Sequence, residues 1–209
     1  MKQGILVVLS GFSGAGKGTL IRELLARYPE EYCLSVSATT RAPREGEQDG
    51  REYFFKTDKE FEQMIERGEL LEHAGYVNHY YGTPASYVME RLNEQKNVIL
   101  EIELQGAMMV KEKFPQALML FVTPPDAKEL KRRLIDRGTE TEEVIRSRLS
   151  RAVEEAEGCE AYDYLIINDE IDRAVEEIHR IIRMQREKMD YHLDLIQEIR
   201  EDLKKFSAQ

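Results

Sequence analysis

Residues 5–19 read I-L-V-V-L-S-G-F-S-G-A-G-K-G-T. An apolar run, a glycine-rich turn and a Lys opening a helical pattern form the layout of a phosphate-cradling loop. Glycines let consecutive backbone N–H groups converge on anionic oxygens. The N-terminus of the following helix adds a favourable dipole, and Lys17 neutralises the outer phosphates. One position departs from G-x-x-x-x-G-K-[ST]: Gly18 stands where a Ser or Thr hydroxyl would ligand magnesium, and Thr19 follows one place later. A plain strand–helix turn needs only one or two glycines, fewer than Gly11, Gly14 and Gly16 supply.

Outward from this loop, four short apolar runs read as buried strands: Ile5–Leu9, Val98–Ile102, Leu118–Val122 and Tyr164–Ile167. Helical stretches alternate with them, which predicts an α/β fold with a parallel sheet flanked by helices. Leu20, Ile21, Leu24 and Leu25 make the apolar face of the helix after the loop, and Pro29 closes it. Residues 35–85 are polar, rich in turn residues and β-formers, and predict a small lobe inserted between the first and second core strands. Within it, Asp58 to Arg67 is a short helix and N-H-Y-Y-G-T-P (78–84) a loop. A second excursion starts a helix at Pro124-Pro125-Asp126, which Gly138 stops. Thr139, three residues before Glu142, predicts a capping box for the next helix, whose buried stripe is Ile145, Leu149, Ala152 and Ala156. From Ile171 to Phe206 apolar residues recur about every 3.5 positions, predicting one long terminal helix whose seam covers the core first and then either a partner or its own domain alone.

The chain has 209 residues, 40 acidic against 30 basic, and a formal charge of −10. That length fits one domain with small inserted lobes. No electrostatic footprint for nucleic acid exists, so an anionic substrate must be held by a few placed cations. Cys33 and Cys159 are too few for a disulfide framework and fit a reducing cytosol. The N-terminal apolar stretch is too short for a signal peptide, and no run approaches the roughly 20 apolar residues of a membrane span. A cytoplasmic location is the expectation.

The inserted lobe carries a second cluster. Arg41 and Arg44 flank Pro43 and can converge on one phosphate, which the guanidinium fork matches in bidentate fashion. Tyr53 and Tyr81 can donate phenolic O–H groups to the same oxygens. Alternatively, these arginines pair with Glu45, Glu47 and Asp49 on a solvated face. Among the acids, Glu72 sits in L-L-E-H-A, and strand alternation places Glu101 and Glu103 of L-E-I-E-L on one face at a strand end. Buried carboxylates are costly unless they meet donors. A guanine edge offers N1–H and an exocyclic amine; adenine would leave the acid unpaired, at about 1–3 kcal/mol per buried group. Glu101 could instead orient magnesium through water, and salt bridging is the structural alternative for each acid.

With these strings in place, the chain resembles the bacterial guanylate kinases over nearly its full length. G-F-S-G-A-G-K-G-T, S-V-S-A-T-T-R-A-P-R-E-G-E, L-L-E-H-A, H-Y-Y-G-T, L-E-I-E-L-Q-G-A and R-R-L-I-D-R-G-T-E-T-E-E occur in that family's order and spacing. The resemblance implies a P-loop nucleoside monophosphate kinase fold: a core (1–34, 86–125 and 158–209), a GMP-binding lobe (35–85) and a lid (126–157). It implies phosphorylation of GMP by ATP, with Mg2+. The ATP site would comprise Gly11, Phe12, Ser13, Gly14, Ala15, Gly16, Lys17, Gly18 and Thr19, with Asn168 near the adenine. GMP would be held by Ser37, Arg41, Arg44, Tyr53, Glu72, Tyr81, Thr83 and Glu103. Arg133 and Arg137, four apart on the lid helix, and Arg148 on the next would join Lys17 and Arg41 around the transferring phosphoryl group. Thr19, Glu101 and water all remain candidates for organising magnesium. Three residues depart from the family pattern: Phe12 for Pro, Gly18 for Ser and Glu103 for Asp. Two rival readings share these motifs, a kinase for another phosphorylated acceptor and a guanylate-kinase-like binding module. The second typically lacks the glycine loop kept here.

Overall fold

In the computed structural model, which describes residues 3–136 and 141–207, the elements run as follows. β1 is Leu6–Gly11, α1 Lys17–Arg27, β2 Tyr32–Leu34, β3 Ser37–Thr39, β4 Tyr53–Phe55, α2 Asp58–Glu66, β5 Leu70–Tyr76 and β6 His79–Pro84. There follow α3 Ala85–Asn93, β7 Asn97–Glu101, α4 Leu104–Lys113, β8 Leu118–Thr123, α5 Ala127–Asp136, α6 Glu142–Glu157, β9 Tyr164–Ile167, α7 Ile171–Gln185 and α8 Leu193–Ser207.

β1 is apolar at every position from Leu6 to Leu9 because both its faces are covered. Val7 and Leu9 pack with Leu20, Ile21 and Leu24 of α1 and Val175, Ile178 and Ile182 of α7. Leu6 and Val8 face the other way, onto Val88, Leu92, Ala107 and Val110 of α3 and α4. The core sheet is parallel throughout, in the order β2-β7-β1-β8-β9, so β1 is central and its carboxyl end opens into the glycine loop. In open parallel sheets this is where ligands bind.

The lobe has its own four-stranded sheet, β4-β3-β6-β5, over a small core of Ala38, Phe61 and Leu70. Thr57 and Glu60 cap α2 reciprocally. Two expectations change here. The three-residue β2 is a core strand, so the lobe lies between the second and third core strands of the chain; Y-C-L is too short to carry a periodicity. Residues 79–84 are a strand, not a loop: β5 and β6 form a hairpin whose two-residue turn, Val77 and Asn78, has φ 47° and 62°. Gly82 belongs to its packing, since a Cβ there would lie 2.8 Å from the Glu72 carbonyl oxygen.

α5 and α6, the segment expected to be a lid, pack together through Leu130, Leu134 and Ala152. Asp126 accepts the Glu129 N–H at 2.8 Å where α5 begins. α6 is capped by Thr141, which accepts the Val144 N–H, rather than by Thr139; Thr139 and Gly138 lie outside the described residues. Ile145 and Leu149 are half-buried and Ala152 buried, but Ala156 is exposed.

The terminal segment is two helices instead of one. α7 buries Ala174, Val175, Ile178 and Ile182, then stops where Lys188 turns extended, at φ −64° and ψ 144°. The Arg186 guanidinium donates to Asn97 Oδ1 at 2.8 Å, and Tyr191 packs on the core, so tertiary anchors hold the break. α8 buries no residue.

Candidate active site

The glycine loop turns from β1 into α1 on residues that no side chain would fit. Gly11 has φ 144°, and a Cβ would stand 2.1 Å from the Val122 carbonyl oxygen. Gly16 has φ 91°, and a Cβ would stand 2.5 Å from Asn168 Nδ2. Asn168 is buried and supports the loop: its Nδ2 donates to the Ala15 carbonyl at 2.8 Å, and its N–H to the Thr123 carbonyl at 2.7 Å. Its amide thus faces the loop. Lys17 Nζ donates to the Gly11 and Phe12 carbonyls at 2.7 and 3.2 Å, which lays the ammonium along the loop it serves.

Gly18 is different in kind. A Cβ there would meet nothing closer than 4.0 Å, its neighbours at that distance being Arg22 Nη1 and Glu101 Oε2. No packing demand explains the missing side chain, and the position faces Glu101. The Thr19 hydroxyl accepts from Arg22 Nη2 at 3.2 Å.

Arginines of α5 and α6 reach the loop and its support. Arg133 Nη2 donates to the Asn168 carbonyl at 2.8 Å, and Nη1 approaches the Ala15 carbonyl at 3.4 Å. Glu129 aims it by accepting from Arg133 Nε at 2.7 Å. Hydrogen bonds from Arg132 and Arg133 hold the Glu129 carboxyl down to about 2. Arg148 Nη1 donates to Ser13 Oγ at 3.1 Å. Arg137 lies outside the described residues. A cavity of about 570 Å³ runs between loop, lid and lobe, with Ser13, Lys17, Tyr76, Glu101, Glu103 and Arg148 in its wall.

In the lobe, Glu47 organises the arginine cluster. Its Oε1 accepts from Arg41 Nη2 at 2.9 Å and its Oε2 accepts the Arg44 N–H at 2.8 Å. The Arg41 guanidinium stands 5.3 Å from the centre of the Tyr53 ring, which lies 6.0 Å from that of Tyr81. The local pairing expected as an alternative is thus present for Arg41 with Glu47, whereas Asp49 accepts the Phe55 N–H.

Glu72 is the most informative acid. It is 6 % exposed, on β5, and accepts from the Thr83 hydroxyl of β6 at 2.7 Å. Burial pushes its carboxyl above the usual carboxylate range, against the Thr83 bonds and the Lys113 charge. The β3–β6 register pairs Ala38 with Gly82, which brings Ser37 level with Thr83. Gly106 of α4 backs the group, since a Cβ there would lie 2.9 Å from Glu72 Oε2.

Glu101 and Glu103 are both exposed to the cleft rather than buried, so neither carries the desolvation cost expected of a strand-end acid. The strand ends at Glu101; Glu103 stands at the N-terminus of α4, one turn before Gly106, and pairs with Arg151 of the lid. Arg151, Glu155, Glu129 and Gly106 were missed in the sequence. The spacing of Arg148, Arg151 and Glu155 places them on one face of α6, the only sequence signal for that group.

The sequence matches the guanylate kinase family over residues 3–185. The chain belongs to that family. Among similar proteins, the guanylate kinase of Caldanaerobacter subterraneus subsp. tengcongensis is 49 % identical over 201 residues, covering 96 % of this chain and 97 % of the other. That of Bacillus cereus is 51 % identical over 181 residues, covering 87 % and 88 %. The crystal structure of guanylate kinase from Anaplasma phagocytophilum superposes with a TM-score of 0.67 at 33 % identity, covering 90 % and 88 %. Membership makes the chain a nucleoside monophosphate kinase, an ATP:GMP phosphotransferase. In this guanylate kinase the glycine loop carries Phe12. That ring packs edge-on against Phe121 at 5.0 Å and also joins the lid cluster, tying loop, core and lid together.

Proposed function

We propose that the GMP and ATP sites are divided between lobe and loop as follows. Glu72, Thr83, Ser37 and Glu103 read the guanine edge, while Arg41, Arg44, Tyr53 and Tyr81 hold the GMP phosphate. The loop Gly11–Thr19 holds the donor phosphates, with Arg133, Arg137 and Arg148 closing from the lid (126–157) onto the core. The buried Glu72–Thr83 pair carries this reading, because a carboxyl in so poor a solvent gains from a ligand that brings N–H donors. A GMP phosphate oxygen attacks the γ-phosphorus of ATP, the bond to the β-phosphate oxygen breaks, and ADP leaves with that electron pair. The nucleophile is already an anion, so positioning and charge neutralisation by Lys17 and the arginines suffice.

Magnesium suits the donor chemistry at Glu101, since it is commonly held by one or two carboxylates plus substrate phosphates and water. It would neutralise charge on the bridging phosphates. Glu101 faces Gly18, while the Thr19 hydroxyl is taken by Arg22, which favours Glu101 as its holder. The free thiols Cys33 and Cys159 support a cytoplasmic setting. Among the described residues no helix is long and apolar enough to cross a membrane. Self-association through α8 is part of the proposal. Leu193, Ile199, Leu203 and Phe206 are exposed on it, an apolar seam that a second copy could cover.

ADP release measured with GMP, AMP and a sugar phosphate as acceptors tests the site assignment. Strong preference for GMP is expected; equal rates would refute it in favour of a different acceptor.

A further inference from the structure

The lid presents an acid, as well as its arginines, to the glycine loop. Glu155 lies four residues after Arg151 and seven after Arg148, on the face of α6 that looks into the cleft, and shares the cavity wall with Ser13 and Lys17. Its side chain is 14 % exposed. Oε1 is 3.6 Å from Arg151 Nε, and Oε2 is buried with no hydrogen-bond partner. Burial pushes this carboxyl up, while the Lys17 and Arg151 charges and the Ser13 amide act in the other direction. Lys17 and Ser13 of the glycine loop thus act on this carboxyl together with Arg151 of its own helix.

We propose that Glu155 is a built-in competitor for the donor phosphates, occupying the mouth of the glycine loop beside Lys17 and Ser13 until ATP displaces it. Two anions cannot share one small set of donors in a half-buried cleft without strong repulsion. Phosphates entering the loop therefore drive Glu155, and with it α6, away from Ser13. Glu155 acts through Lys17 and the lid, as a positioning residue that lowers donor affinity and couples donor entry to lid movement. The inference rests on the loop being the donor site.

The test is calorimetric titration of the whole enzyme with ADP, comparing the natural chain with Glu155→Gln and Glu155→Leu, each checked for fold by circular dichroism. Either variant should bind ADP about tenfold more tightly, equivalent to about 1.4 kcal/mol. KM for ATP should fall while KM for GMP stays unchanged. A purely structural Glu155 would give weaker or equal ADP binding, and that result in whichever variant folds overturns the proposal. A natural chain that binds no ADP would instead refute the donor-site reading and the proposal with it.

Discussion

Replacing Glu72 by Gln separates recognition of the guanine from stability of the fold. The Gln carbonyl can still accept from Thr83, as Glu72 Oε1 does at 2.7 Å. Its NH2 group, however, points a donor where the carboxylate offered an acceptor to the base. Losing a charge-assisted hydrogen bond is worth about 1.5–3 kcal/mol, and the unsatisfied donor left behind adds about 1–3 kcal/mol. Together these correspond to a fall of roughly 10²–10⁴ in kcat/KM for GMP. KM for ATP should not move. Stability should change in the opposite sense. Because burial raises the Glu72 carboxyl, the folded chain holds its proton more tightly than the unfolded chain does. The stability lost to ionising it is absent below the ordinary carboxylate pKa and develops as pH rises through the raised value. Gln removes that loss, so without nucleotide the variant should melt at or above the natural chain at pH 7 and lose this advantage near pH 4. Steady-state kinetics and thermal melts at both pH values provide the check. A fall of less than tenfold in kcat/KM for GMP would refute the assignment, as would an equal effect on ATP.

Gly106→Ala puts a Cβ 2.9 Å from Glu72 Oε2, so KM for GMP should rise about tenfold with KM for ATP unchanged; equal changes in both would refute a local effect. Lys17→Ala removes the ammonium at the loop, and kcat should fall by roughly 10²–10³ with the circular dichroism spectrum intact. A chain ending at His192 loses only α8, which buries nothing, so its melting temperature should change little. Its mass by light scattering should drop to that of a monomer; an unchanged mass would remove α8 as the contact.

The β1–loop–α1 unit was legible because it is local: glycine conformations, strand burial and helix start are all set by neighbouring residues. The lobe was legible as a unit, but β6 was not, since Asn78, Gly82 and Pro84 look like loop residues until β5 pairs with them. The terminal seam continued through Arg186 in pattern, and only the hydrogen bond from Arg186 to Asn97 and the packing of Tyr191 break the helix there. Glu103 was placed beside Glu101 by strand alternation, which ceases to apply once the strand stops at Glu101.

By itself the sequence determined the parallel α/β core and the glycine-rich turn at Gly11–Gly18, and it offered that turn, Glu72 and the lobe arginines as nucleotide-binding candidates. These depend on short-range patterns of burial, backbone freedom and charge. Tertiary structure alone decided that Asn168 and Arg133 support the loop, that Gly106 makes room for Glu72, and that Glu155 shares a cavity wall with Lys17. Each of those relations joins elements far apart in the chain. Their energies depend on distance and desolvation, which exist only once the lid, lobe and core have packed.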